Sequence, residues 1–386
     1  MELFRKTFIA KAVAALMALL LSANLSINIA TINRNYKDIN PGKYKNVILF
    51  IGDGMGYNSL AYCEKTYSTK LDILTKTPIH GFSETRSSSD RVTDSAAGGT
   101  ALACAVRTTN GAIGVFPQDQ YSLAYVPMNL CELAKSYGRM AGVVTTDSNC
   151  GATPSAFSAH TDSRNNGEEI SRQQIASNLD LIWGAKSGYV TESDATKNGW
   201  KYLDSMADFN ALQEGQRSFA QFDGEIWKTQ SGADSPTLSK MTEKAIDMLD
   251  DDPDGFFLMV EGAHIDKNSH NKDGANMTTA AYEFNNAVKI AFDYADINEN
   301  TLIVITADHE TGGILKDENG DFYYTTGSHT GTDVPLLIYG SKTFIKDGEA
   351  IKNKEVSRRL SLAMGAKPGD FPCSVKLADT TKTKDE

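Results

Sequence analysis

The stretch Phe256-Phe257-Leu258-Met259-Val260-Glu261-Gly262-Ala263-His264-Ile265-Asp266-Lys267-Asn268-Ser269-His270 runs from an apolar segment straight into Glu261, Asp266 and His270. An apolar run of that length bounded by polar residues reads as a buried strand. Charge at the end of a buried strand costs several kcal/mol per unpaired ion. Such a cluster therefore calls for a compensating cation or substrate, and it reads as half of a multinuclear metal site.

Similar apolar runs recur at Val47 to Ile51, Met140 to Val144, Leu302 to Ile305 and Val334 to Tyr339. Between them, Met241, Ala245, Met248 and Leu249 keep helical spacing, as do Phe284, Val288, Ala291 and Ala295. Leu130, Leu133 and Ala134 do the same, and Gly138 supplies a stop. Near-continuous apolar strands alternating with helices predict an α/β fold: a mostly parallel sheet with helices on both faces. The polar, Gly-rich stretch from about Asn165 to Pro236 reads as loops or an excursion at the sheet edge.

In such sheets, ligands sit beyond the carboxyl ends of the strands. Reading off the residues there gives Asp53 in Gly52-Asp53-Gly54-Met55-Gly56, then Glu261, Asp266 and His270, then Asp308-His309-Glu310. His329 follows in the Gly-flanked Gly327-Ser328-His329-Thr330-Gly331. Any one of these alone is an ordinary cap or loop residue. Together they are the Asp, Glu and His ligands expected of zinc with an additional oxygen-ligated metal.

Ser95, in Thr93-Asp94-Ser95-Ala96-Ala97-Gly98-Gly99, sits where a helix begins, a position whose free amides favour an anion. A Ser there is most often an N-cap, but a nearby metal turns its hydroxyl into a nucleophile. No G-x-S-x-G elbow is present, which argues against a His-activated serine hydrolase. Thr153 offers a neutral oxygen to a hard cation, and Arg164 a fork that grips two oxygens of a phosphate.

The whole chain sets bounds on these readings. Its 386 residues, 41% hydrophobic and 23% charged, have ordinary globular composition. A net charge of -11 disfavours general binding to nucleic acid, and no nucleic-acid-binding domain is expected. Arg5, Lys6 and Lys11 precede an apolar stretch from Ala12 to about Leu25, the pattern of an export signal over roughly residues 1–30. The expected protein is exported, periplasmic or extracellular, without a stable membrane span after cleavage; an uncleaved anchor is the alternative. Five cysteines, Cys63, Cys104, Cys131, Cys150 and Cys373, permit disulfides in that setting, and none has C-x-x-C spacing. A single domain over 40–375 and a polar tail over 376–386 complete the organisation.

These residues resemble the alkaline phosphatase family from about Asn46 to Gly340, through motifs in the same order. They are I-G-D-G-M-G at Ile51, T-D-S-A-A at Thr93, A-T-P at Ala152 with Arg164 eleven residues past Thr153, V-E-G-A-x-I-D-K-x-x-H at Val260, T-A-D-H-E-T-G-G at Thr306 and G-S-H-T-G at Gly327. The resemblance implies a phosphomonoesterase acting on phosphate monoesters, with two zinc ions, one magnesium and a homodimeric assembly. Asp266, His270 and His329 would hold the first zinc, and Asp53, Asp308 and His309 the second. Asp53 would reach the magnesium together with Thr153 and Glu261. Ser95 would be the nucleophile of a phosphoserine intermediate, Arg164 the phosphate clamp, Asp94 the residue orienting Arg164, and Lys267 a residue reaching phosphate through water.

Two departures stand out. Gly151 occupies the place where the family usually has an Asp or His before A-T-P, which leaves the third metal's surroundings incomplete; Asp147 or Cys150 can substitute only with a loop shift. Nineteen residues separate His309 from His329, so the crown insertion is reduced. His80 and His160 read as structural histidines, and His264 has no assigned task. A phosphodiesterase or sulfatase with the same site is the competing enzyme reading, although the C/S-x-P-x-R context of sulfatases is absent at Ser95-Ala96-Ala97. A non-catalytic exported phosphate-binding protein is the competing reading outside enzymes.

Overall fold

The computed structural model describes residues 43–117, 125–230 and 234–377. The export-signal segment and residues 378–386 of the tail lie outside the described residues. Strand and helix bounds follow the apolar runs closely. The sheet strands are β1 (Asn46–Gly52), β2 (Ile79–Glu84), β3 (Met140–Ser148), β4 (Leu181–Ala185), β5 (Lys201–Leu203), β6 (Ser218–Phe222), β7 (Phe256–Gly262), β8 (Thr301–Thr306), β9 (Val334–Tyr339) and β10 (Ala350–Lys352). They form one ten-stranded sheet in the order β10-β2-β9-β8-β1-β7-β3-β4-β6-β5. Only β9 runs against its neighbours β2 and β8; the remaining pairs are parallel.

Because successive side chains on a strand face opposite ways, each apolar run feeds two cores at once. Val47, Leu49, Ile51, Phe257, Met259, Leu302 and Val304 point into one. That core is covered by α2 (Ser95–Cys104), α3 (Leu130–Ser136) and α8 (Asn353–Met364). Ile48, Phe50, Phe256, Leu258, Val260, Ile303 and Ile305 point into the other. It is covered by α1 (Tyr57–Tyr67), α5 (Leu238–Leu249) and α7 (Gly274–Ile297). The short helices α4 (Ala152–Ala156) and α6 (His264–His270) lie at the strand ends, α6 leaving β7 after a single residue.

The region from Asn165 to Pro236 corrects the reading of it as loops. It does form the sheet edge, but it does so with the three strands β4, β5 and β6. Their short lengths and polar flanks hide them locally, yet Leu181-Ile182-Trp183 and Phe219-Ala220 are buried and join the two cores. The segment between His309 and His329 is small, as its length implies: a ribbon of Ile314–Lys316 with Phe322–Tyr324, and a short pair of Glu310–Thr311 with His329–Thr330. All five cysteines are free thiols. Among the described residues, no helix is long and apolar enough to cross a membrane.

The face beneath the strand ends depends on aromatic packing. Phe284 of α7 is fully buried, with its ring centroid 5.9 Å from that of Phe50 on β1 in an edge-to-face arrangement. Phe284→Ala should lower unfolding stability by about 3–5 kcal/mol through lost burial and a residual cavity. Denaturant midpoints of the two proteins check this; an unchanged midpoint would mean that the sheet does not rely on α7 there.

Candidate metal centre and active site

The site is assembled by strand register. Across neighbouring strands, Thr145, Glu261, Ile51 and Thr306 lie level with one another. The residues that follow β1 and β8 therefore emerge beside the end of β7. Gly54 makes the turn after β1 possible. It adopts φ +72, and a Cβ there would lie 2.8 Å from Cα of Asp266.

Two groups of ligand atoms converge: Asp266, His309 and His329, and Asp53, Asp308 and His309, each with its atoms within 4.8 Å of one another. His270 joins the first group, with Nε2 3.3 Å from Asp266 Oδ1 and 3.1 Å from His329 Nε2. His329 Nε2 is in turn 3.6 Å from the same Asp266 oxygen. In the second group, His309 Nε2 lies 3.5 Å from Asp53 Oδ1 and 3.3 Å from Asp308 Oδ2. The six zinc ligands expected from the resemblance are thus brought together in the two expected trios, with His309 also bordering the first.

Hydrogen bonds orient these groups. The Gly327 carbonyl accepts from His270 Nδ1 at 2.8 Å and the Thr93 carbonyl from His329 Nδ1 at 3.0 Å. A carbonyl can only accept, so both rings carry a proton on Nδ1, and Nε2 of His270 faces both Asp266 Oδ1 and Nε2 of His329. Two Nε2 atoms 3.1 Å apart require that at least one holds a proton or that a cation lies between them. Asp53 Oδ1, Asp308 Oδ2 and Thr153 Oγ1 are buried without a hydrogen bond, which is costly in a site of low dielectric unless a cation takes them. The donor set therefore fits metal ions.

Charge within the site shifts proton affinities. Burial, with the neighbouring Asp308, pushes the Asp53 carboxyl well above its usual range. Burial and Asp266 push Asp308 up to about 6, and burial and Asp147 push Glu261 up to about 8. Burial also works against the Asp266 charge, but the hydrogen bond from His270 and the charge of His309 hold this carboxyl below its usual range. The hydrogen bond to Asp266 raises His270 to about 9, whereas burial holds His309 down to about 4.

The remaining predicted residues take definite places. Asp94 is the N-cap of α2, accepting from Ala97 N at 3.0 Å, so Ser95 is the first helical residue rather than its cap. Ser95 is buried, with Oγ 3.2 Å from His309 Nε2. Asp94 Oδ2 also accepts from Gly111 N at 3.0 Å and from Arg164 Nη1 at 3.1 Å. Lys267 Nζ donates to Asp147 Oδ1. His264 stacks on Trp227 with centroids 5.1 Å apart and meets Thr146 Oγ1 through Nδ1 at 3.1 Å. His160 is buried against Glu132 and the Gly114 carbonyl, and His80 bonds to Thr77, both structural as expected.

Two contributors escaped the sequence reading. Thr145 Oγ1 donates to Glu261, and Thr311 Oγ1 donates to Asp266. Thr145 was within reach: it is the polar residue directly after the run Met140 to Val144, the criterion that selected Asp53 and Glu261.

Stability without metal should depend on pH with a definite sign. Glu261 and His270 hold protons in the folded, metal-free chain that the unfolded chain has already released. Their contribution is complete below the ordinary values of 4.5 and 6.5 and is lost as pH rises through about 8 and about 9. Between these limits, above 6.5, the melting temperature of chelator-treated protein should fall with pH, and the gain on adding zinc and magnesium should grow. A flat or rising profile in calorimetry would refute this.

Comparison with known proteins follows the same lines. The alkaline phosphatase family profile matches residues 44–182 and 184–361. The chain is similar to repressible alkaline phosphatase of Saccharomyces cerevisiae, 32% identical over 71% of this chain and 56% of that protein. It is also 32% identical to alkaline phosphatase 3 of Bacillus subtilis, over 81% of this chain and 71% of that one. The chain thus spans little more than half the length of the yeast relative. Among solved structures, it resembles alkaline phosphatase from the Antarctic bacterium TAB5, with 29% identity, a TM-score of 0.74, and coverage of 84% of this chain and 100% of that one. A variant of that enzyme, 28% identical here with a TM-score of 0.71 over 85% of this chain and 100% of that one, has Mg bound in its M3 site. With the family profile covering most of its length and the strand-end ligands in place, the chain belongs to the alkaline phosphatase family.

Proposed function

We propose that the protein hydrolyses phosphate monoesters to an alcohol and inorganic phosphate through a phosphoserine on Ser95. The observation that carries this reading is the position of Ser95 Oγ, buried at the first turn of α2 and 3.2 Å from Nε2 of His309, the histidine bordering both ligand groups. Asp266, His270 and His329 would hold one zinc, Asp53, Asp308 and His309 the other, and Asp53, Thr153 and Glu261 a magnesium. When bound, such ions supply Lewis acidity to phosphoryl and leaving-group oxygens and lower the pKa of a hydroxyl or water.

The chain's own residues do the rest. The free amides of the α2 N-terminus and the Arg164 guanidinium face an anion at Ser95, and Asp94 holds that guanidinium from the N-cap position. A bond forms between Ser95 Oγ and phosphorus as the ester P–O bond breaks and the alcohol leaves. Water then attacks phosphorus, the P–Oγ bond breaks, and serine and inorganic phosphate result.

Ser95→Ala should cut phosphate release from an aryl phosphate at alkaline pH by at least about a thousandfold. Unchanged release would remove Ser95 from the mechanism, and no release by the zinc- and magnesium-loaded wild type would favour a phosphate-binding protein. Faster turnover of an aryl phosphodiester or sulfate than of the monoester would favour the competing enzyme class. Arg164→Ala should cost about ten- to a hundredfold in kcat/KM, the value of a charge-assisted hydrogen-bond pair; steady-state kinetics check it.

A further inference from the structure

Gly151 lacks the side chain expected before A-T-P, and its backbone does not explain why. Its φ is -54, which any residue adopts, so glycine is required here for space rather than for conformation. The space is taken: a Cβ on Gly151 would lie 2.4 Å from Asp147 Oδ2 and 2.9 Å from the Ser148 carbonyl. A carboxylate from four residues upstream fills the place of the missing side chain, and it arrives without the loop shift anticipated from the sequence. Cys150 does not compete for that role; its Sγ turns to Ser171 Oγ at 2.7 Å.

The Asp147 carboxylate is held in position. Ser148 N donates to Oδ1 at 2.7 Å, and Lys267 Nζ donates to the same atom. Thr145 Oγ1 ties the Asp147 backbone to Glu261: this hydroxyl accepts from Asp147 N at 2.8 Å and donates to the Glu261 carboxylate. Among the charges around Glu261, Asp147 acts most strongly on it. Beside them, Thr153 Oγ1 is buried with no hydrogen bond, as is Asp53 Oδ1. Unsatisfied hard oxygens next to two carboxylates are the surroundings of a hard cation that keeps part of its water shell.

We propose that Asp147 supplies the carboxylate that position 151 lacks, completing the hard-cation site of Asp53, Thr153 and Glu261 from the end of β3. Lys267 is then a positioning residue: it ties Asp147 to α6, the helix that carries Asp266 and His270. This proposal rests on the third-ion reading given above.

The test is magnesium binding by the zinc-loaded protein, followed by calorimetric titration and by the magnesium-induced rise in melting temperature. Asp147→Ala should weaken magnesium binding by about ten- to a hundredfold and abolish most of that rise, while zinc stays at the wild-type content. Asp147→Asn, which keeps the shape, should do the same, and Lys267→Ala should have a smaller effect in the same direction. Adding Gly151→Asp to Asp147→Ala should restore part of the binding, because the Asp147 carboxylate no longer blocks a side chain there and only the Ser148 carbonyl, 2.9 Å from the new Cβ, has to give way. In the presence of Asp147, Gly151→Asp should destabilise. Wild-type magnesium affinity in both Asp147 variants overturns the role of Asp147 while leaving phosphate release and the third ion intact. Wild-type protein that takes up zinc but no magnesium overturns the third ion and this proposal together.

Discussion

Everything at the carboxyl end of the sheet follows from the burial of negative charge. Asp53, Glu261, Asp266 and Asp308 are each at most 7% exposed; Asp53, Glu261 and Asp308 sit at the ends of adjacent strands, and Asp266 on the helix that follows one of them. Carboxylates crowded in this way repel one another in a medium that screens poorly, so they require positive charge among them. The histidines cannot supply enough of it: burial holds His309 and His329 toward the neutral form, and His270, raised to about 9 beside Asp266, brings a single positive charge against four carboxylates. The site is built for cations, and its helix, arginine and lysine are arranged around that requirement.

The frame that holds these charges is ordinary secondary structure used at its ends. Register places Thr145 level with Glu261, so one hydroxyl can bridge Glu261 and Asp147. Backbone carbonyls at Thr93 and Gly327 set the tautomers of His329 and His270, which lie on different elements. The same α2 N-terminus presents Ser95 and, through its cap, steadies Arg164. A shift in any of these backbone segments would move residues of both ligand-atom groups, or Ser95 and Arg164, together.

Legibility varied with how local each cause was. The central strands could be read because their apolar runs are continuous and buried on both faces, and β1, β7 and β8 match their expected runs to within two residues at each end. Strands β4, β5 and β6 could not, since a three- to five-residue segment between polar flanks has no period to detect. The residues of the two ligand-atom groups were legible because strand ends converge in any parallel sheet. Thr311 was not, because nothing in its neighbourhood says that its hydroxyl faces Asp266, 45 positions earlier.

The sequence alone determined the class of fold, the polar residues at the strand ends and the position of Ser95 at a helix start. These depend on periodicity and on the chemistry of single side chains. The tertiary structure decided what those residues do to one another: that His309 borders both ligand groups, that Asp94 rather than Ser95 caps α2, and that the gap at Gly151 is filled by Asp147. The reason is that these outcomes depend on distances of a few ångströms between segments far apart in the chain, which only packing and register set.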